Sequence, residues 1–242
     1  MVQMPFETDM GNMSATAQIE TRKPSLTENA YARLKGMIIS GEIGPADQVD
    51  ANSLVDALGF GRTPVREALL RLQIEGIIRI VPKRGVQIVM LSADDITEIY
   101  QVISAIEIEA VRLLTTARPV AEDLLSLSAA GDRMIAAAEI DSREEWVLAD
   151  EAFHRTLLDL NPNQRLRDVG LLHRDLAQRA HFVALRLLRP EQLMKSALEH
   201  KKLVSQILAG DTDTVVASHQ LQRDRGAAML VGVLREYRLT QI

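Results

Sequence analysis

The sequence predicts a mainly α-helical chain with an N-terminal winged helix-turn-helix and a C-terminal antiparallel all-α bundle of about six helices. Two observations support this prediction. A helical repeat followed by two β-branched runs occupies residues 59–90, whereas residues 94–237 show helical periodicity and no strand pattern. With 47% apolar and 3% aromatic residues, the chain can bury a sizeable core that is mainly aliphatic.

The N-terminal part begins with a polar tail. Residues 1–24 are rich in polar side chains and Gly, and we expect them to be disordered. Helical spacing of apolar residues then predicts helices over about 26–40 and 51–58, the first of them ending at Gly41. With the stretch that follows, these helices predict a winged helix-turn-helix over residues 25–91.

The second helix of the helix-turn-helix lies between the Gly-rich turn 59–61 and Gly76, which ends it. Thr63 offers an N-cap oxygen, and Pro64 would then take the first helical position, where proline is best tolerated. Four apolar residues recur at helical spacing and predict the buried face of this helix: Val65, Ala68, Leu69 and Leu72.

Two β-branched runs, 77–81 and 86–90, follow this helix and predict a hairpin with a basic tip. A helix with Arg and Thr at its start, followed by a basic hairpin, is typical of a protein that reads double-stranded DNA. The helix enters the major groove, and the hairpin contacts the backbone or the minor groove. The predicted contact residues are Arg62, Thr63, Arg66, Lys83, Arg84 and Gly85.

Charge is distributed unevenly along the chain. The net charge is −5, but residues 22–90 sum to +3 and residues 91–242 to −5. A basic module in an acidic protein fits a DNA-binding domain joined to a domain of another function. The chain has no cysteine, no apolar run long enough to span a membrane and no signal-peptide pattern. We therefore expect a cytoplasmic protein without membrane contact.

The C-terminal part, residues 95–238, is predicted to be the helical bundle. Ser92 and Asp95 form a capping-box pattern that opens its first helix. The connections between helices are short, which favours antiparallel neighbours. The predicted helices span about 94–117, 121–139, 142–160, 164–188, 190–209 and 213–237.

Metal-capable side chains lie on the apolar stripes of three of these helices. Asp150 and His154 are one turn apart on one helix, His200 lies on a second, and His219 and Gln222 lie on the last. A buried carboxylate with imidazoles suits a divalent ion such as Zn, Mn, Ni or Fe. Alternatively, each histidine is a hydrogen-bonded core residue, and Asp150 bonds His154 or an arginine.

The segment GRTPVREALLRLQIEG resembles the (S)RTPVREAL-x-RL-x-x-EG signature of the GntR family of bacterial transcription regulators. That resemblance covers residues of about 26–90. Residues 94–237 are similar, more loosely, to the FCD effector domain of the FadR subfamily of GntR regulators. Two residues of the N-terminal part depart from the family. Gly61 replaces a usual Ser, and Asn52, an implied DNA contact, replaces a residue that is often basic.

The resemblance also implies a metal site. Asp150 and His154 match the first two ligands of many FCD domains, and His200 matches the third. The fourth ligand, usually His, falls on Gln222, while His219 lies one turn earlier, so the resemblance leaves open which of the two completes the site. Ile103 stands where an arginine is usual, which implies a less acidic or differently placed effector.

These features predict a ligand-responsive transcription regulator, a repressor that binds a palindromic operator as a homodimer. Its effector would be a small carboxylate or sugar acid held in the metal-containing pocket. One alternative is a metal-free sensor of acyl-CoA type. The other is a metal-dependent helical-bundle enzyme, but the chain lacks the second Glu-x-x-His that such a di-iron bundle needs. We therefore expect no catalytic residues and no enzymatic activity.

Overall fold

The structure, a computed structural model, describes residues 23–44, 49–185 and 187–237. Within these ranges the chain is mostly helical, with one two-stranded antiparallel sheet. The predicted fold class, a winged helix-turn-helix followed by a helical bundle, is confirmed. The disordered tail predicted for residues 1–24 lies almost wholly outside the described residues, as does the predicted domain end at residue 238.

The N-terminal domain contains three helices and the hairpin of the wing. A reciprocal capping box between Ser25 and Glu28 opens the first helix, and Gly41, with φ 81°, ends it in the left-handed conformation. The elements are α1 (Leu26–Ser40), α2 (Ala51–Leu58), α3 (Arg62–Ile74), β1 (Ile78–Val81) and β2 (Gly85–Ile88).

Helix α3 begins earlier than the sequence pattern predicts. Its N-cap is Gly61, with φ −66° and ψ 165°, so the prediction that Thr63 is the N-cap is wrong. Pro64 accordingly occupies the third helical position. Proline is tolerated there because the N–H groups of the first turn have no partner within the helix. The four residues predicted to form the inward face of α3 are all buried.

The wing is attached closely to the start of α2. Val86 donates its N–H to the carbonyl of Val49 over 2.9 Å, which adds a bridge next to the hairpin. Gly85 has φ 81°, and a Cβ on it would lie 2.5 Å from the same carbonyl oxygen. Only glycine fits this close approach without displacing the backbone.

Six α-helices form the C-terminal bundle. A capping box between Ser92 and Asp95 opens the first, as predicted. The helix predicted over residues 121–139 starts with a 3-10 turn, Ala121–Leu124, before it becomes α-helical. The helices are α4 (Ala93–Thr116), α5 (Leu125–Glu139), α6 (Arg143–Asp159), α7 (Gln164–Leu185), α8 (Pro190–Ala209) and α9 (Thr212–Glu236).

The apolar core consists of three clusters. One fills the N-terminal domain, one lies mainly between α5, α6 and α8, and one lies between α4, α7 and α9. Leu176 of α7 packs against the N-terminal core, so α7 belongs to the bundle and also contacts the N-terminal domain. In the described part of the chain, no helix is long and apolar enough to cross a membrane.

Candidate functional site: a DNA-reading face and a buried donor cluster

One concave surface of the N-terminal domain gathers most of the predicted DNA contacts. The start of α2, one side of α3 and the tip of the wing form this surface. Thr63 is exposed on the first turn of α3 but does not line it. The predicted contact residues that line it are Asn52, Arg62, Arg66, Lys83, Arg84 and Gly85.

Four basic side chains on this face are available to an anionic partner. Arg62, Arg66, Lys83 and Arg84 are exposed, and within residues 23–44, 49–185 and 187–237 none of them makes an ion pair. Arg71, farther along α3, is instead paired with Glu75 and does not line this face. Unpaired arginines at the start of α3 are placed to bond guanine edges or phosphates.

A buried cluster in the bundle brings together three of the predicted metal ligands. Helix α6 presents Asp150 and His154 from consecutive turns, and α8 presents His200 beside them. The two Nε2 atoms are 3.2 Å apart, and Asp150 Oδ1 lies 3.8 Å from that of His154 and 3.6 Å from that of His200. A point equidistant from these three atoms would be about 2.1 Å from each, which is the usual Zn–N and Zn–O distance.

Hydrogen-bond partners indicate which ring nitrogens point into this donor triangle. The Nδ1 of His200 lies 2.7 Å from the carbonyl of Ser196 and donates its proton there. The Nδ1 of His154 lies 3.0 Å from Glu107 Oε2, a close contact that lacks hydrogen-bond geometry. The Nε2 lone pair of His200 therefore faces the centre of the triangle, whereas the Nε2 of His154 accepts a hydrogen bond from Arg223 over 3.2 Å.

Burial keeps both imidazoles neutral. It lowers the pKa of His200 to about 4, only partly opposed by the bond to Ser196. It also lowers the pKa of His154 well below its ordinary value, although Glu107 opposes that shift. Burial raises the pKa of Asp150, whose Oδ2 has no hydrogen-bond partner, although His181 opposes the rise. Two imidazole nitrogens and a carboxylate oxygen thus lie close together in a buried site, and a cation or a proton between them would offset the cost of their burial.

The two candidates for a fourth ligand lie beside the triangle but not in it. Within the described residues, the cluster of mutually close donors contains only Asp150, His154 and His200. The amide of Gln222 lies between two imidazoles, 3.0 Å from Nδ1 of His219 and 2.9 Å from Nδ1 of His200. The Nε2 of His219 lies 3.5 Å from Glu107 Oε2.

Two buried arginines complete the site. Arg174 of α7 donates to Glu107 over 3.0 Å and to Glu151 over 2.6 Å. Arg223 of α9 lies 3.3 Å from Glu107 and donates to Nε2 of His154 over 3.2 Å. Burial raises the pKa of Glu107, but the lowering by Arg223 and His154 together is larger. The pKa of Glu107 therefore lies well below its ordinary value.

A small cavity opens beside the triangle. It has a volume of about 50 Å³, room for a few waters or a small carboxylate. Asp150, His154, His200 and Arg223 line it on the polar side. Trp146, the single tryptophan of the chain, also lines it.

Comparison with known proteins matches both halves of the chain. The family described as FCD domain matches residues 98–221, about half of the chain. The family described as bacterial regulatory proteins, gntR family, matches residues 26–88.

The chain belongs to the GntR family. An HTH-type transcriptional regulator of Agrobacterium vitis, in the TAR-I ttuE-ttuC' intergenic region, is 41% identical over 131 residues, which cover 53% of this chain and 77% of that protein. The HTH-type transcriptional repressor GlaR of Escherichia coli is 27% identical over 76% of this chain and 86% of its own length. These relatives are transcription regulators and not enzymes, in agreement with the prediction from sequence.

A solved structure shares the fold. E. coli McbR/YncC has a TM-score of 0.75 and 20% sequence identity, and the match covers 89% of this chain and 100% of that chain. At this level of identity the likeness supports the fold alone.

In this GntR-family chain, Ile103 does not line the pocket, whereas Arg223 does. Ile103 is buried in the apolar cluster between α4, α7 and α9. Arg174 and Arg223, from α7 and α9, bring the positive charge, and the sequence analysis missed both. The rule that found His154, a polar residue on an apolar stripe, would also have found Glu107 and Arg174, since each is buried among apolar neighbours of its helix.

Proposed function

We propose that this protein is a bacterial transcription repressor that binds a palindromic operator as a homodimer and releases or engages it in response to a small organic acid. The observation that supports this best is the combination, in one GntR-family chain, of an unpaired basic reading face with a buried donor triangle. The FCD-type bundle supports placement in the FadR subfamily. A repressor among the relatives supports repression, and not activation, of transcription. A protein with this role works in the cytoplasm, where the chromosome is.

We propose that the triangle holds a divalent metal ion, with Asp150, His154 and His200 as its protein ligands. Two imidazole nitrogens and one carboxylate oxygen suit Zn, Mn, Ni or Fe, and the bound ion would supply a Lewis-acidic position for a ligand oxygen. His219 would act indirectly, because its Nε2 lies beside Glu107, behind His154, and not in the triangle. Gln222 accepts from Nδ1 of His219 with its amide oxygen, the atom that would have to bind the metal, so it is the weaker candidate for a fourth ligand.

The charge balance of the site favours an acidic effector. All the buried Asp, Glu, Lys and Arg side chains of the described residues lie here: Glu107, Asp150, Glu151, Arg174 and Arg223. Three carboxylates and two guanidinium groups leave one negative charge, which a divalent ion would turn into one positive charge. A single carboxylate would then neutralise the site, in line with the high cost of an uncompensated buried charge.

Arg223 is placed to bind that carboxylate. Its guanidinium group lies within hydrogen-bonding distance of His154 Nε2, on the cavity wall, and its Nε has no hydrogen-bond partner. An effector carboxylate between the metal ion and Arg223 would separate two positive charges and satisfy that donor. A cavity of about 50 Å³ also favours a small acid over the bulky acyl-CoA of the alternative hypothesis.

Two measurements test this proposal. Elemental analysis of the purified protein should show about one divalent ion per chain, and His154→Ala and His200→Ala should lose it. His173→Ala is the matched control, because His173 lies outside the cluster and bonds the Val169 carbonyl. Selection from a random-sequence duplex pool should yield a palindromic site with half-sites about one helical turn apart. The absence of any selected sequence would reject the regulator, whereas the absence of metal would reject only the metal site.

A further inference from the structure

We propose that a continuous chain of ion pairs couples the buried effector site to the reading helix α3. The chain, called the ion-pair chain below, runs through Glu107, Arg174, Glu151, Arg155, Asp175, Lys35, Glu75 and Arg71. This inference rests on the proposed function, because it describes how the same site would control DNA binding.

The first links lie inside the bundle. Arg174 holds two carboxylates, Glu107 on α4 and Glu151 on α6, over 3.0 and 2.6 Å. The second oxygen of Glu151 accepts from Arg155 over 2.7 Å. Glu107 also faces Nδ1 of His154, a ligand of the proposed metal site, over 3.0 Å. One end of the chain therefore contacts the donor triangle.

The next links cross from the bundle to the DNA-binding domain. Asp175 of α7 pairs with Arg155 through one oxygen and with Lys35 of α1 through the other. Lys35 in turn donates to the hydroxyl of Tyr31 over 2.6 Å and lies 3.5 Å from Glu75. Asp175 thus joins an arginine of the effector domain to a lysine of the DNA-binding domain.

The last links reach α3. The Tyr31 hydroxyl donates to Glu75, the C-cap of α3, over 2.6 Å. Arg71 of α3 pairs with the other oxygen of Glu75 over 3.0 Å, and its guanidinium lies 3.8 Å from the centre of the Tyr31 ring. The helix that carries Arg62 and Arg66 is therefore held, at its far end, by the chain that starts at the effector site.

Burial makes these links more than a row of surface contacts. The side chains of Lys35 and Asp175, at the domain boundary, are 12% and 10% exposed. Charges with so little solvent contact are poorly screened, so a shift of one member changes the energy of the next. Leu176 packs on the N-terminal core beside this link, so a movement of α7 at Arg174 would also move an apolar contact with the DNA-binding domain.

The response would begin at His154. When His154 donates its Nε2 lone pair to a cation, its ring becomes more positive and attracts the Glu107 carboxylate, which lies 3.0 Å from Nδ1. Glu107 is then held more firmly by His154 and less by Arg174, and Arg174 shifts its bonding towards Glu151. The coupling requires that α7 can adopt two positions, and that these positions hold α3 differently through the ion-pair chain. The ion must also bind one of the two states more tightly, because a ligand shifts only states that it binds differently.

The test compares DNA binding with and without Zn²⁺ alone in variants at the domain boundary. We would measure the Kd for a duplex selected by the unaltered protein, and follow Zn²⁺ binding by Trp146 fluorescence. Zn²⁺ should change the DNA Kd of the unaltered protein about 5-fold or more. In Lys35→Met and Asp175→Asn the Zn²⁺-dependent change in DNA Kd should fall to within about twofold, while Zn²⁺ binding is retained. The conservative variant Lys35→Arg, which keeps the positive charge, should show the same change as the unaltered protein.

Arg167→Met is the matched control, because the Arg167–Asp159 pair also joins α7 to α6 but lies outside the ion-pair chain. It should leave the Zn²⁺ effect intact. An unchanged Zn²⁺ effect in both boundary variants would overturn the proposal, as would a Zn²⁺-loaded protein whose DNA affinity does not change.

Hydrogen exchange of the α3 amides, with and without Zn²⁺, tests the coupling without DNA and without any variant. If no duplex is selected at all, the proposed function fails, and this measurement alone decides the ion-pair chain. Altered exchange in α3 would support it, and unaltered exchange would refute it.

Discussion

Asp150→Asn should change the stability of the protein in opposite directions with and without metal. The substitution replaces a buried carboxylate by an amide of the same shape. In the metal-free protein the carboxylate is unfavourable, because burial raises its pKa and Oδ2 lacks a hydrogen-bond partner. An unsatisfied buried polar group costs about 1–3 kcal/mol, so the metal-free variant should be as stable as the parent, or more stable by up to about 1 kcal/mol.

With metal the order should reverse. An ion that binds only the folded state stabilises it by about 2.7 kcal/mol when its free concentration is about 100 times its Kd. In the Asp150→Asn variant the introduced amide would be a neutral ligand in place of an anionic one. If affinity falls about 100-fold, as loss of a key interaction can cause, the gain drops to about 0.4 kcal/mol. The difference corresponds to a shift of roughly 5–10 °C in Tm for a chain of this size.

The assay is thermal unfolding of chelator-treated protein, titrated separately with Zn²⁺, Mn²⁺, Ni²⁺ and Fe²⁺. Trp146, which lines the cavity and is the only tryptophan, reports binding by its fluorescence. Asp168→Asn, an exposed aspartate of α7, is the matched control and should behave like the parent. The reasoning fails if the parent gains no stability from any of the four ions, or if Asp150→Asn gains as much as the parent.

Four further predictions follow from the same geometry. Arg66→Ala should weaken binding to the selected duplex by about 1–3 kcal/mol in anisotropy titrations, whereas Arg133→Ala, the same charge change on the bundle surface, should not; equal losses would contradict a base contact. Gly61→Ser should raise the free energy of unfolding by a few tenths of a kcal/mol and strengthen binding to all duplexes alike. Gly61 is an extended N-cap, and the atom nearest to its Cβ position is 3.7 Å away, so a serine fits there. A loss of stability would argue against this. The metal-free protein should lose stability as the pH falls from about 6.5 to 4, because the His200 pKa is lowered to about 4 and the unfolded chain takes up the proton first. That loss is on the order of 3 kcal/mol, and His200→Asn should flatten the slope in urea titrations. Arg223→Gln should keep the metal but weaken the binding of small carboxylates about tenfold or more in calorimetric titrations of the loaded protein, and unchanged carboxylate affinity would exclude this anchor.

Most of the fold was predictable from local patterns. The apolar stripe of α3, the Gly76 stop and the capping box at Ser92 each depend on residues within a few positions of one another. The start of α3 was misplaced by two residues, because Gly61 caps the helix through its backbone conformation and not through a side chain. Local side-chain chemistry could not reveal that choice.

The candidate site was predictable only in part. Asp150 and His154 are one turn apart on a single helix, so their common direction follows from helical geometry. That His200 completes a triangle, and that Arg223 faces it, depends on how α8 and α9 pack against α6. The same limit applies to the choice between His219 and Gln222, since a step of three residues leaves both on nearly the same face of α9.

The sequence by itself determined the class of this protein, because the reading helix and its wing carry their pattern within fewer than thirty residues. Only the tertiary structure decided which charges meet inside the bundle. Arg174, Glu107 and Glu151 come from three helices, and Lys35 meets Asp175 across 140 residues of chain. Such contacts are set by the packing of whole helices, and no local periodicity records them.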